Sequence, residues 1–395
     1  MGIAPKWRSP WRILRDDDAS RKTIRISRKG KKGVGLRRGS AFSSYRRVFV
    51  ITLTCIVLSL AMALWKVGLS ARTRRKAPVA IDVGHREIPH EQTTKDMLDA
   101  VVYVAIRPEG SSGLEGKLKA NGGTGMLKLS IESLRKVGQY KGEIYVITDM
   151  EQVLDTLGRQ YGATLIHFGG FGRLDAAKGH YFNAVCDLKT KVFDFVPDTV
   201  ATVLYLDSDI VVTTTLQPFL EEMQGVFNRG RGAEVPSMAL FENNAPCGKG
   251  FPCWHAGILY MTRASSQPCL KAWHEYHSSY GYPLCMSKLK TRTDTNTLPP
   301  ECYDQSALSW ANYVASPCKQ FHNIEGNLHL KWMNSASLGV AVTKLMATRR
   351  TFSHFTHNTR RSGHLGKGIR GWIYRSLVTR LFLSWRLGLI TPFDL

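Results

Sequence analysis

The chain has 395 residues, 43% of them hydrophobic and 22% charged, which is enough apolar matter for one large domain or two ordinary ones and too much for a wholly disordered chain. The formal net charge of +23 would suit a nucleic-acid binder if it were spread over a domain surface, but residues 1–76 hold 20 Lys and Arg against Asp16, Asp17 and Asp18, so +17 of it sits at one end. The excess belongs to a tail, and no nucleic-acid partner is expected.

The tail runs into a membrane signal. Residues 48–65, VFVITLTCIVLSLAMALW, carry no charge over 18 positions, and at about 1.5 Å per residue a helix of that length spans about 27 Å, one short crossing. Residues 1–47 hold 15 Lys and Arg, against Lys66, Arg72, Arg74, Arg75 and Lys76 on the far flank. The positive-inside bias therefore predicts a cytosolic N-terminus and a lumenal body. Ala61-Met62-Ala63 has the small-x-small look of a cleavage site, but a 47-residue n-region is far too long for a cleaved signal peptide. The expected organisation is a basic cytosolic tail over 1–47, a transmembrane signal anchor over 48–65, a stem with Pro78 and Pro89 over 66–95, a main domain over 96–368 and a C-terminal helical extension over 369–395.

From Asp96 the pattern alternates between strand and helix signals, which predicts an α/β domain with a mostly parallel sheet. The pattern predicts strands over 100–106, 143–149 and 163–168. It predicts helices over 125–137, after a Gly-rich loop, over 151–161 and over 174–195. Residues 202–212 then read TVLYLDSDIVV, an apolar strand that emerges onto two carboxylates and is followed by a second apolar run. In extended backbone Asp207 and Asp209 project to one side and Ser208 to the other. Ligands in open α/β sheets gather at the carboxyl ends of the strands. Two hard oxygen donors there suit Mn2+ or Mg2+, an ion that a nucleotide diphosphate can share as charge develops on the leaving group. An EF-hand is excluded, because its sixth and twelfth loop positions would be Val212 and Pro218. A lone D-x-D is weak, since turn carboxylates after strands are common.

Cys247, Cys253, Cys269, Cys285, Cys302 and Cys318 fall within 72 residues without C-x-x-C spacing. Two or three disulfides in an oxidising compartment are expected, one of them closing the loop between Cys247 and Cys253. With Cys186 the count is odd, so one thiol is left over. Over 369–390 the arginines Arg370, Arg375, Arg380 and Arg386 scatter around the helix axis, which favours packing on the main domain over a membrane-surface helix.

The segment from Leu204 to Val211 closely resembles the D-x-D segment of GT-A glycosyltransferases, especially the glycogenin-like family 8 enzymes. Thr190-Lys191 resembles that family's donor-contacting Thr-Lys pair, and Trp254-His255-Ala256-Gly257-Ile258 stands in the place of its Asn-Ala-Gly element. Asp304-Gln305 resembles its Asp-Gln, and Phe352-Ser353-His354-Phe355 its metal-binding His segment. The resemblance covers residues 97–368. It implies a GT-A, Rossmann-like nucleotide-diphospho-sugar transferase domain behind the single N-terminal helix. Asp207, Asp209 and His354 would bind Mn2+ or Mg2+, and Lys191, Ser208, Ala256 and Gly257 would bind the donor with the two aspartates. Asp304, Gln305 and His255 would stand at the reacting groups. His255 replaces the family's usual Asn. The Lys-Pro-Trp that follows the family's His is missing, leaving Arg360, Arg361 or Lys367 to face the phosphates. Each residue also has an ordinary reading: Lys191 as a solvated helix residue, Asp304 as a helix N-cap, His354 as a packed imidazole.

The implied partners are a UDP-sugar or similar donor and a glycan, glycoprotein or glycolipid acceptor, with Golgi membrane as the implied location. Family 8 enzymes retain anomeric configuration, and no Asp or Glu lies within ten residues of His255 to serve as an inverting base. The alternatives are a catalytically silent sugar- or nucleotide-binding protein on the same fold and a membrane adaptor working through its basic tail.

Overall fold

A computed structural model describes residues 94–106, 114–168, 178–228, 234–243, 252–291, 300–314, 316–318, 320–333, 338–355 and 368–389. The expected tail, membrane helix and nearly all of the stem lie outside these residues, as do Cys247, Arg360, Arg361 and Lys367. No helix among the described residues is long and apolar enough to cross a membrane.

The N-terminal half is built from β1 (Ala100–Ala105), α1 (Leu114–Lys136), β2 (Glu143–Thr148), α2 (Glu151–Tyr161) and β3 (Ala163–His167), followed by α3 (Lys178–Thr190), α4 (Val192–Phe195) and β4 (Thr202–Leu206). Strands β3, β2, β1 and β4 lie side by side in parallel. Val101, Val102 and Tyr103 of β1 are wholly buried, the continuous apolar run expected of a strand covered on both faces. The expected strands at 100–106, 143–149 and 163–168 each end one residue earlier than the pattern suggested.

Beyond β4 the chain adds β5 (Ile210–Val212), α5 (Gln217–Phe227), β6 (Met238–Asn243) and β7 (Cys253–Thr262). Next come α6 (Arg263–Tyr276), a π-helical turn (His277–Gly281), α7 (Tyr282–Lys290) and α8 (Asp304–Val314). The last elements are β8 (Phe321–Asn323), α9 (Gly326–His329), β9 (Leu330–Trp332), α10 (Leu338–Met346), β10 (Phe352–His354) and α11 (Gly368–Arg386). The main sheet has the order β3-β2-β1-β4-β7-β6-β8, and six of its strands run in one direction, as the mostly parallel expectation had it, with β7 alone antiparallel to its neighbours β4 and β6. A second sheet has the order β5-β10-β9.

Three local expectations are corrected. Helix α1 begins at Leu114 and runs through Asn121-Gly122-Gly123, so the expected Gly-rich loop is helical. The long helix expected over 174–195 is two helices that part at Lys191. Ser208 and Asp209 form a turn rather than extended strand, with the Ile210 N–H donating to the Asp207 carbonyl at 3.0 Å. That turn hands the chain from the main sheet to the small one.

The apolar cores lie on the two faces of the main sheet, and a third cluster joins α1, α10 and α11 through Met126, Leu345, Val378 and Phe382. The C-terminal helix thus packs on the body. Cys269–Cys318 and Cys285–Cys302 are disulfides, Cys253 is also disulfide-bonded, and Cys186 is a buried free thiol.

Candidate active site

Strand β4 ends at Leu206, and its antiparallel partner β7 continues the ladder one step further, the Asp207 N–H donating to the Gly257 carbonyl at 2.8 Å. This pairing brings the 204–211 segment against His255, Ala256 and Gly257, some fifty residues away in sequence. The approach leaves no room for a side chain on β7, since a Cβ on Gly257 would stand 2.6 Å from Asp207 Oδ2. Glycine here is a requirement of space around the carboxylate.

The cation that meets Asp207 is Lys189, on the last turn of α3. Its ammonium lies 2.9 Å from Asp207 Oδ1 and 2.5 Å from Asp304 Oδ2, and donates to the Ala256 carbonyl at 3.0 Å. It also sits 4.9 Å from the centre of the Tyr205 ring, and the Tyr205 hydroxyl donates to Asp207 Oδ1 at 2.8 Å. The Lys189 side chain is only 2% exposed. Burial opposes its charge, but Asp207 and Asp304 more than offset that and hold its pKa well above the ordinary lysine value. Burial raises the Asp207 pKa, with the Asp304 and Asp209 charges adding to the rise and Lys189 opposing it. Burial likewise holds Tyr205 protonated, as the donor of its bond to Asp207.

The sequence pattern singles out Lys191, yet Lys191 is 41% exposed and pairs with Asp187 one turn back on the outer side. The helix end separates the two lysines: Leu188, Lys189 and Thr190 are all buried, and the chain breaks at Lys191. A lysine set between the apolar Leu188 and the helix end was the available signal, and it does not separate the two lysines without knowing which face of α3 meets the sheet.

On the other arm of the turn Asp209 meets His354. Strand β10 runs antiparallel to β5 with His354 opposite Ile210, and the Phe355 N–H donates to the Asp209 carbonyl at 3.3 Å. His354 Nε2 lies 3.4 Å from Asp209 Oδ1, and His354 Nδ1 is 3.1 Å from His255 Nε2. His255 is wholly buried, with its Nδ1 unpartnered and Trp332 edge-on at 5.0 Å. Burial, the neighbouring His354 and Lys189 push its pKa well below the usual imidazole value, so it is neutral at physiological pH.

Asp304 is the first residue of α8; its Oδ1 accepts the N–H of the next residue, Gln305, at 2.8 Å, not one two or three residues on as an N-cap does, and its Oδ2 meets Lys189. Gln305 Oε1 lies 3.9 Å from Cys253 Sγ. Ser208 is half-buried at the tip of the turn. The structure thus gathers Asp207, Asp209, His255, Ala256, Gly257, Asp304 and His354 and adds Lys189, while Lys191 pairs with Asp187 outside this cluster. Among the described residues no three His, Cys, Asp or Glu side chains are arranged to close around one ion. Asp209 and His354 are adjacent, while Asp207 turns to Lys189.

No protein-family model and no curated protein matches the chain. Solved structures of similar shape include the glycosyltransferase GlyE of Streptococcus pneumoniae TIGR4, 17% identical over 74% of this chain, with a TM-score of 0.37. This chain spans 65% of GlyE. Mouse xyloside xylosyltransferase 1 is 10% identical over 66% of this chain and 98% of its own, with a TM-score of 0.37. The galactosyltransferase LgtC, solved with donor and acceptor sugar analogues, is 13% identical over 73% of this chain and 99% of its own, again with a TM-score of 0.37. With TM-scores below 0.5, such likenesses say nothing about activity, which has to be read from the site itself.

Proposed function

We propose that the chain is a glycosyltransferase of GT-A type that moves a sugar from a nucleotide-diphosphate donor to a glycan, glycoprotein or glycolipid. The observation that carries this reading is the Asp207–Ser208–Asp209 turn itself. It sits at the carboxyl end of a central strand, where ligands of α/β sheets gather, with one carboxylate tied to Lys189 and Asp304 and the other left beside His354.

The donor set suits Mn2+ or Mg2+ held in part by substrate phosphates, the usual arrangement for such ions where the protein gives only one or two carboxylates. Asp209 Oδ1 and His354 Nε2 stand 3.4 Å apart, a separation compatible with two ligands of one ion, while Asp207 is held by Lys189. When bound, the ion would offset charge developing on the leaving diphosphate. Within the chain, Lys189 is a positioning residue: it ties the turn, β7 and the start of α8 together, so Asp304 is held beside Asp207. Neutral His255 fixes the orientation of the His354 ring from behind.

Retention of configuration is part of the reading. An inverting enzyme needs a base at the acceptor hydroxyl, and His255, the base nearest that element in sequence, is fully buried and bonded to His354. A type II Golgi topology, with the body in the lumen, is supported by the charge pattern around residues 48–65 and by two disulfides, which persist in oxidising compartments. The test is a panel of nucleotide sugars with Mn2+, reading release of nucleoside diphosphate and then the anomeric coupling of the product by NMR. One donor turned over with an α-linked product is expected. Tight donor binding without turnover would leave a silent binding protein instead.

A further inference from the structure

A concave site lies on the small sheet. A cavity of about 400 Å3 is lined by Asn327 and Leu328 of α9, Lys331 of β9, Lys344 of α10, and Arg349 and Arg350 in the link to β10. Its volume falls within the roughly 300–1,000 Å3 of small-ligand pockets. Register places it away from the carboxylates. Trp332 turns its ring towards His354 at 5.1 Å, so Lys331, one residue earlier on β9, faces the opposite side of the sheet. Its strand neighbours Ser353 and Val211 share that side, and Val211 belongs to the cluster with α10 and α11.

Four cations line this cavity and no carboxylate does. Among the described residues none of Lys331, Lys344, Arg349 or Arg350 has an acidic partner. Arg350 is fixed in place by donating to the Leu330 carbonyl at 2.5 Å and by its own carbonyl accepting from Thr213 Oγ1 at 2.6 Å. Lys344 and Arg349 stand exposed at the rim. Lys189, Lys191 and Lys288, by contrast, each meet a carboxylate. Concentrated, uncompensated positive charge in a hollow lowers the free energy of an anion there, and guanidinium pairs flat oxyanions with two parallel hydrogen bonds.

We propose that this cavity binds an anionic group, a sulfate, phosphate or carboxylate, carried on the acceptor glycan, and so selects acidic acceptors. That the carrier is a glycan rests on the sugar-transfer reading above; the preference for an anion does not. A hollow of this size takes a discrete group rather than a flat lipid surface, and exposed Leu328 on its wall offers apolar contact to a sugar ring.

The test uses the full chain and three probes: a sulfated tetrasaccharide, its desulfated counterpart, and phosphatidylserine vesicles. The sulfated sugar should bind, with an affinity that falls as salt is raised. The exposed double variant Lys344→Glu/Arg349→Glu should weaken it by about tenfold or more through loss of two charge-assisted contacts. The neutral pair Lys344→Gln/Arg349→Gln should weaken it less and keeps the test valid should charge reversal disturb folding. Release of nucleoside diphosphate from donor alone should be unchanged in both variants. Equal binding by wild type and variants, binding indifferent to sulfation, or binding of vesicles without the sugar would overturn the proposal. Absence of donor turnover in every protein would instead count against sugar transfer, and the binding comparison would still decide the anion site.

Discussion

Asp207 and Asp209 are two residues apart on one turn, yet their surroundings are opposite in kind. Asp207 meets a cation and a hydroxyl: an ammonium and a phenol hydroxyl converge on Oδ1, and Oδ2 lies where a side chain on Gly257 of β7 would stand. Asp209 faces an imidazole at 3.4 Å, backed by a second imidazole held neutral by burial. The two arms of the D-x-D therefore meet different partners, Asp207 the ammonium of Lys189 and Asp209 the imidazole of His354. Extended backbone would have pointed both carboxylates at one place.

The largest effect expected from breaking this contrast is on the anchoring side. Lys189→Met removes the charge between two partly buried carboxylates, and breaking such a pair typically costs about 3–5 kcal/mol. Urea unfolding should show that loss together with loss of turnover, and a variant as stable as wild type would mean that Asp207 and Asp304 do not depend on Lys189. On the other side, Asp209→Asn keeps shape and removes charge. Activity should fall on the order of 10²-fold, as when one electrostatic stabiliser is removed, with folding stability nearly unchanged. Unaltered turnover would place the ion's site elsewhere.

Gly257→Ala probes the wall between the arms. A Cβ at 2.6 Å from Asp207 Oδ2 has to displace the carboxylate or the strand, and overpacking of this kind costs about 1–3 kcal/mol. A smaller effect is the pH dependence from His255. Its pKa is depressed in the folded protein, so the unfolded chain binds its proton more readily. Neutral His255 therefore favours the fold above about pH 6.5, and that contribution is lost as the pH falls from there towards the depressed value. Unfolding of wild type and His255→Asn, compared at pH 7.5 and 5.5, should show wild type losing more stability on acidification. Equal slopes would mean that another group carries the titration.

Much of this was legible in the residues. The runs at 100–106, 143–149 and 202–206 are rich in β-branched, aromatic and other apolar residues with few interruptions, as expected of strands covered on both faces. The carboxylates after β4 followed from the same run. What escaped was decided by tertiary contact. Helix α1 crosses Gly122 and Gly123 although each glycine disfavours helix by about 1 kcal/mol relative to Ala, because Leu127, Ile131 and Leu134 on the same helix are buried in the sheet core and Met126 and Leu129 against α11. The reversal of β7 leaves no mark in local pattern, since a parallel and an antiparallel buried strand carry the same side chains. Lys189 was hidden for a related reason: an ammonium among apolar neighbours looks like an error in the pattern until Asp207 and Asp304, 18 and 115 residues on, are brought to it.

The smallest expected effect is the one that separates the two lysines of α3. Lys191 and Asp187 are one helical turn apart with the lysine 41% exposed, and such pairs contribute about 0.3–0.5 kcal/mol. Asp187 keeps a second neighbour in any case, since His274 Nδ1 lies 3.0 Å from its Oδ1. Lys191→Ala should therefore unfold within about 0.5 kcal/mol of wild type and turn donor over at an unchanged rate, against the collapse expected of Lys189→Met. The comparison is informative because charge removal is common to both variants and only burial differs. A Lys191→Ala protein that is stable but has lost donor affinity would restore the sequence-based assignment and require the end of α3 to rotate by about half a turn when donor binds, carrying Lys191 inward and Lys189 away from Asp304.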